Sequence, residues 1–570
     1  MLQYKLILPD NTYNSWELRD AVSLNETELP GFSPDQQKLF NFDVFTVDNN
    51  KKAILIHSVV RSMPIIGGIL KLSDGKTYGK EKNKFLVKCI PDDKRIPPFL
   101  VPYGKQNISF SKNVKNKYVT FKFIHWDNKH PQGQLHSVIG DVDVLENFYE
   151  YQLYCKSLYA SIQDFTKAAK KKLHNESLDD LINKIDKSYN PVDRTDPSWE
   201  IYTIDPEKSK DFDDAFSCKK ISDSQSILSI YITNVAIWME AMELWSSFSE
   251  RISTIYLPDR RRPMLPAIMS EYLCSLLEGE LRYAFTLDIL VHNDTGNIIE
   301  HKFINTKIKV KKNFIYKNDL SNNETVNNAK KLMILINKHY KLMDTIKDNH
   351  DLVAILMVLM NYLSAKEFLK YESGIFRSMK LENSVKIPEH LPDDVKVFLK
   401  LWKSSGSKYI RFEENKVHEM LKFNEYVHIT SPIRRLVDLL NILSLQHHLK
   451  MIKFTKQSNE FYSYWTSDDK LDYINQTMRA IRKVQNECNL LTMCITNKEI
   501  TEKNYSGYIF DAINRNDGLY QYVIFVKELK IVSKFISYQK LDLFENYVFK
   551  VYLFEDKESL KQKVRFEIQL

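Results

Sequence analysis

The chain of 570 residues is 43% hydrophobic and 27% charged, which excludes a disordered tail and a single small domain and predicts three to five domains. Its 81 basic and 73 acidic side chains leave a net charge of +8, mild enough to suit a polyanionic partner without specifying one. The longest apolar run, Leu352 to Met360, is half a membrane span, so it reads as a buried helix and no membrane partner is expected.

Residues 1–37 read as a turn-rich lead-in, marked by Pro30, Gly31, Ser33 and Pro34. Residues 38–95 carry short alternating strands at 43–47, 53–56, 68–72 and 85–87, with Asp74-Gly75 as a hairpin-type turn. Residues 96–165 continue in the same style, opening at Ile96–Tyr103 and alternating cleanly over Tyr118–Phe123. Such strands build small OB-type barrels, which bind oligonucleotides across one face. Lys112, Lys115, Lys117, Lys122 and Lys129 interleave here with Tyr118, Phe121, Phe123 and Trp126. Two readings stand. Lys122 and Trp126 hold single-stranded nucleic acid as a basic group beside an exposed ring, or the rings simply fill the barrel. Residues 166–200 are polar and Pro-containing, and read as a linker with one amphipathic turn over 178–185.

A longer block of mixed pattern is expected over 201–498. It opens on Thr203-Ile204-Asp205-Pro206, and within ten residues come four carboxylates, Asp205, Asp211, Asp213 and Asp214. Ile204, Phe212, Ala215 and Phe216 flank them, so the stretch is not simply a solvated acidic tail. Packed carboxylates repel one another unless a positive charge neutralises them. Mg2+ prefers such oxygens, and two ions a few ångströms apart suit in-line attack on a phosphate. A calcium loop is disfavoured, because its glycine and closing glutamate are missing. A solvated acidic turn is the blander alternative.

Further on, 227–232 reads as a strand, 282–310 as paired strands turning at 293–297, and 324–372 as mostly helical. Arg260-Arg261-Arg262 lines a nucleic-acid path or forms a solvated loop. In Tyr426–Asp438, Ser431 is a good N-cap and Pro432 suits the first helical position. That puts Arg434 in a first helical turn, where N–H groups favour an anion and a guanidinium can grip a phosphate. Arg434 and Arg435 differ by a third of a turn, so only one points into a site. Ion pairing of both with Asp438 is the alternative. His418 and His428 either position substrate or are satisfied structural groups. Residues 499–570 return to strands.

Six scattered cysteines without a Cys-x-x-Cys pair fit reduced thiols in a cytosol-like compartment, and no signal segment opens the chain, so a cytoplasmic location is expected. Neither G-x-G-x-x-G nor G-x-x-x-x-G-K occurs, which removes dinucleotide and P-loop readings.

T-I-D-P-x-x-x-K-D-x-D-D-A resembles the signature of the ribonuclease II (RNB) family of exoribonucleases, over about residues 38–570 and most like its eukaryotic Dis3-like branch. Tyr256-Leu257-Pro258, Pro263–Pro266 and Ser270–Leu276 match a second run of that family. The resemblance implies an α+β multidomain fold. Two cold-shock OB-type barrels (38–95 and 96–165) precede an α/β RNB domain (201–498) and a C-terminal OB-type barrel (499–570). It also implies a processive, Mg2+-dependent 3′→5′ exoribonuclease, with Mn2+ a possible substitute, that releases nucleoside 5′-monophosphates from single-stranded RNA. Asp205, Asp211, Asp213 and Asp214 would hold two metals. Asp213 and Arg434 would be catalytic. Tyr256 would stack on the 3′-terminal base, and Arg260, Arg262, Arg435, Lys122 and Trp126 would contact RNA. A monomer is expected, and obligate exosome association is not, since no room is seen for an endonuclease domain. Against the family pattern stand Tyr231, Asn234, Ser378, Leu436, Ile442 and Leu443. They motivate the alternative of a weakly active or inactive RNA-binding regulator on the same scaffold.

Overall fold

Period-two alternation drives the first part of the chain into short curved strands, but these group differently from the pattern expected above. In this computed structural model, residues 2–104, 114–379, 387–403, 407–412, 417–419, 423–515 and 518–569 are described; Lys112 lies outside them. The chain divides into two units, one of Met1–Tyr159, Leu257–Asp259 and Arg482–Leu570, the other of Ala160–Tyr256 and Arg260–Ile481.

In the first unit, one five-stranded sheet has the order Glu26–Thr27, Glu17–Asp20, Tyr4–Ile7, Val44–Val47, Ala53–His57. Leu6, Leu18, Phe32 and Phe45 fill it, with Phe32 stacked on Phe45 at 5.1 Å. Three of these strands fall in the stretch expected to be a lead-in. Glu17–Asp20 and Glu26–Thr27 carry one apolar side chain between them, Leu18, so alternation did not reveal them.

A second sheet runs Ile66–Leu70, Lys117–His125, Gln132–Asp141, Phe99–Gly104, Lys84–Pro91, Lys80–Glu81. Ile66–Leu70 also pairs with Lys84–Pro91, which closes it into a barrel. The boundary expected at residue 95 therefore falls inside a single sheet. Gly68 makes the closure possible: a Cβ there would stand 2.8 Å from Cys89 Sγ and 2.9 Å from the Phe121 ring. Phe40, Phe99, Phe121 and Trp126 fill this barrel, with the Trp126 ring 4.7 Å from Phe40. A third antiparallel sheet, of Ile531–Ser537, Tyr520–Val526, Asn504–Asn514, Asn546–Asp556 and Lys561–Gln569, forms the C-terminal OB-type barrel around Ile509, Tyr522, Phe535, Phe549 and Phe566.

The second unit is built on seven strands in the order Val192–Arg194, Ile298–Lys309, Leu281–His292, Gln225–Thr233, Asp214–Lys220, Tyr202–Asp205, Lys312–Ile315. Helices Glu324–Tyr340, Asn349–Lys370 and Leu436–His448 pack into its core. Asn349–Lys370 is long and apolar enough to cross a membrane, yet 67% of its most apolar stretch is buried inside the protein. The expected linker is in fact helical, over Gln163–Asn175 and Leu178–Tyr189. Phe165 with Ala169, and Leu181 with Ile185, are spaced four apart and buried in the same core. Surrounding charge had masked that period.

Candidate active site

Strand Tyr202–Asp205 ends on one acid, and strand Asp214–Lys220 begins on another. The two pair antiparallel, so the intervening loop must return and bring the acids to one end of the sheet. The loop is pinned. Phe212 N–H donates to Ser275 Oγ at 3.0 Å, Ser275 Oγ donates to Lys210 O at 3.1 Å, and Thr233 N–H donates to Asp213 O at 2.9 Å.

Asp213 is 3% exposed. Its Oδ1 accepts from Ile433 N–H at 3.0 Å and its Oδ2 from Arg434 Nε at 3.2 Å. The turn that delivers both groups differs from the helix start expected above. The helix begins at Leu436, and residues 432–434 form a turn before it. Asp438 explains the difference. Its Oδ1 accepts from Ser431 N–H at 2.8 Å and from Arg435 Nη2 at 2.7 Å, and this holds the turn open ahead of the helix. The Ser431 hydroxyl instead accepts from Arg434 Nη2 at 2.9 Å. The two arginines thus take separate partners. Arg434 faces Asp213 with 44% of its side chain exposed, while Arg435, expected to contact RNA, is paired with Asp438 and 21% exposed.

Burial pushes the carboxyls of Asp205, Asp213 and Asp214 up to about 7, their acidic neighbours add to it, and Arg434 opposes it. Asp205 Oδ2 is buried and accepts no hydrogen bond. Carboxylate oxygens crowded together, one of them without a donor, are the donor set a hard divalent cation requires, so these residues fit such an ion. A second group, Asp348, His350 and Asp351, has ligand atoms within 4.8 Å of one another. Asp348 and His350 are exposed, and Asp348 Oδ1 accepts from Asp351 N–H at 2.9 Å as a helix cap, which accounts for their closeness.

An RNB domain matches residues 194–349, and a Dis3-like cold-shock domain 2 matches residues 86–150. The chain thus carries an RNB domain, the domain of the ribonuclease II family that its sequence resembles. It is 37% identical to ribonuclease R of Ureaplasma parvum over 111 residues, 19% of this chain and 15% of that protein. It is 26% identical to DIS3-like exonuclease 2 of Xenopus tropicalis over 310 residues, 50% of this chain and 34% of that one. The matches thus span well under half the length of these curated relatives. The fold is that of apo Mycoplasma genitalium RNase R, with a TM-score of 0.70, 18% identity, and 99% and 100% of the two chains covered. It is also that of yeast Ssd1, described as a pseudonuclease, with a TM-score of 0.61, 12% identity, and 94% and 78% covered.

Within this RNB domain the remaining candidate residues divide. Arg261, which the sequence did not single out, forms ion pairs with Asp211 and, at 2.6 Å, with Glu271. It lies directly across a short hairpin from Tyr256. Tyr256 is 42% exposed; burial of its hydroxyl and then the Asp211 charge push that group up to about 12. Arg260 is exposed. Arg262 is buried, and its Nη1 donates to Arg260 O at 2.8 Å, which corrects its expected role in RNA contact. In the other unit Lys122 is exposed on its strand. Trp126 is buried at 9%, so it packs the barrel and is not a free stacking platform. His428 Nδ1 bonds the Tyr409 hydroxyl at 2.9 Å and His418 is buried, as structural groups would be.

The departures from the RNB pattern are absorbed locally. Tyr231 bonds Ser217 at 2.9 Å and Arg194 at 3.2 Å. Asn234 caps a helix through Ile237 N–H at 3.3 Å and donates to Asn305 at 3.0 Å. Ser378 donates to Val417 O at 3.2 Å, and Leu436, Ile442 and Leu443 are fully buried.

Proposed function

We propose that this chain is a divalent-metal-dependent exoribonuclease that degrades single-stranded RNA processively from its 3′ end and releases nucleoside 5′-monophosphates. The observation that carries the reading is the meeting of Asp213 with Ile433 N–H and Arg434, 220 and 221 residues apart in sequence. An acid cluster alone is common; one faced by a half-exposed arginine is suited to a phosphodiester.

Mg2+ held on Asp205 and Asp214 would supply Lewis-acid chemistry and a water acidified enough to attack near neutral pH. The chain's own groups do the rest. Arg434, anchored by Asp213 and Ser431, turns its guanidinium toward the phosphate and stabilises charge growing on its oxygens. Tyr256 stacks on the terminal base, which tolerates any sequence. Contacts to the 2′-OH favour RNA over DNA. Lys122 contacts backbone phosphate. The six free cysteines fit a reducing, cytoplasmic setting, and the reading takes the chain as a monomer.

The departures from the family pattern keep the rival alive: RNA binding without cleavage. A 5′-labelled oligo(A) substrate with Mg2+ separates the two. The expected result is conversion of full-length RNA to a short limit product with few intermediates, which Asp213→Asn abolishes while RNA binding persists. Tight binding with no shortened product from the unaltered chain would establish the rival.

A further inference from the structure

We propose that Arg261 takes the part of a second metal ion, so that the site holds one divalent cation, on Asp205 and Asp214, where the family resemblance implied two. The inference rests on the nuclease reading above and concerns how the four acids are shared.

Two of the four already have protein partners. Both oxygens of Asp213 are engaged, one by Ile433 N–H and one by Arg434. Asp211 is engaged by Arg261. Arg261 is not a loose side chain that happens to lie nearby. Glu271 holds its other amino group at 2.6 Å, and the hairpin register fixes its backbone opposite Tyr256. The Arg261 side chain is 19% exposed and that of Asp211 11%, so water does little to loosen the pair. A dication at Asp211 would have to displace a guanidinium that has nowhere better to go.

The other two acids lack such partners. Asp205 Oδ2 is buried without a hydrogen bond, and among the described residues no lysine or arginine forms an ion pair with Asp205 or Asp214. Two carboxylates match the charge of one dication. Unlike an ion, Arg261 cannot be removed by a chelator, so positive charge stays beside the Tyr256 stacking position whether or not metal is bound.

The test is a Mn2+ titration of the full chain, followed by the paramagnetic resonance of free Mn2+ and by calorimetry. Asp348→Asn serves as the background, to remove the exposed acidic group as a contributor. One ion per chain is expected, lost in Asp205→Asn and retained in Asp211→Asn. Arg261→Gln is expected to bind two, the second site tightening about tenfold or more once the competing charge is gone. Arg261→Lys, which keeps the charge, is expected to bind one. Two ions with Arg261 intact, loss of the ion in Asp211→Asn, or a single ion in Arg261→Gln would each overturn the inference. A chain that binds two ions and cleaves RNA sinks this inference and leaves the nuclease reading standing. A chain that binds none and does not cleave sinks both.

Discussion

Asp213 and Arg434 illustrate what single residues disclose. The acids were legible because apolar neighbours marked them as packed, and Arg434 because a proline and a serine marked a chain start before an apolar face. Arg261 was not legible: three consecutive arginines look alike until a hairpin decides which one faces the acids. Arg434 uses Nε on Asp213 and Nη2 on Ser431, a fork that an ammonium cannot reproduce. Arg434→Lys is therefore expected to lower kcat by about a hundredfold, measured under single-turnover conditions, with a much smaller change in RNA affinity. A pH effect also belongs at this scale. Burial of His418 drives its pKa down to about 4, whereas an unfolded histidine titrates near 6.5. Between those values the unfolded chain binds more protons, so stability falls as pH drops from about 6.5 toward 4 and is level above. The contribution is at most about 3 kcal/mol. Denaturant unfolding at both ends of that window should show a smaller acid loss in His418→Gln than in the unaltered chain.

Elements were easier to foresee by type than by ending. The hairpin of Leu281–His292 and Ile298–Lys309 agrees with the expected turn, and Gly296 takes the left-handed conformation there, with φ of 73°. The helix after Ser431 starts four residues later than its cap signals imply. Asp438, buried and reaching back to Ser431, outweighs local propensity. No sequence pattern reports such a return contact. Tyr231 is a second case. Its departure from the family pattern suggested damage to the site, yet it completes a buried network in which Arg194 pairs with Asp288 and lies 4.1 Å over the Trp199 ring. Arg194 is 5% exposed and Asp288 6%. Removing one partner leaves the other charge stranded, so Arg194→Ala is expected to cost about 3–5 kcal/mol in chemical denaturation. Arg194→Met with Asp288→Leu should cost clearly less. Equal losses would mean the pair itself, and not the stranded charge, sets the cost.

Across the whole molecule, the sequence conveyed the kinds of parts better than their borders. Three β-barrel-like sheets and a mixed-sheet RNB unit were foreseeable from strand alternation and the family resemblance. The borders were not, because closure through Gly68 joins strands from both sides of the expected boundary. Under the proposed function, exposed lysines such as Lys122 on these sheets should make RNA affinity salt-dependent. Lys122→Ala is expected to flatten the slope of log affinity against log salt by about 0.7 if it meets one phosphate of a single strand. An unchanged slope would remove it from the RNA path. The chemistry itself is most directly read from the first product. With single-stranded RNA labelled in its 3′-terminal nucleotide and Mg2+ present, the label should leave in the first turnover as a nucleoside 5′-monophosphate, and Asp213→Asn should stop it. Label retained on long RNA, or released as a free nucleoside with a 5′-hydroxyl, which leaves the phosphate on the shortened RNA, would contradict metal-assisted attack by water between these acids and Arg434.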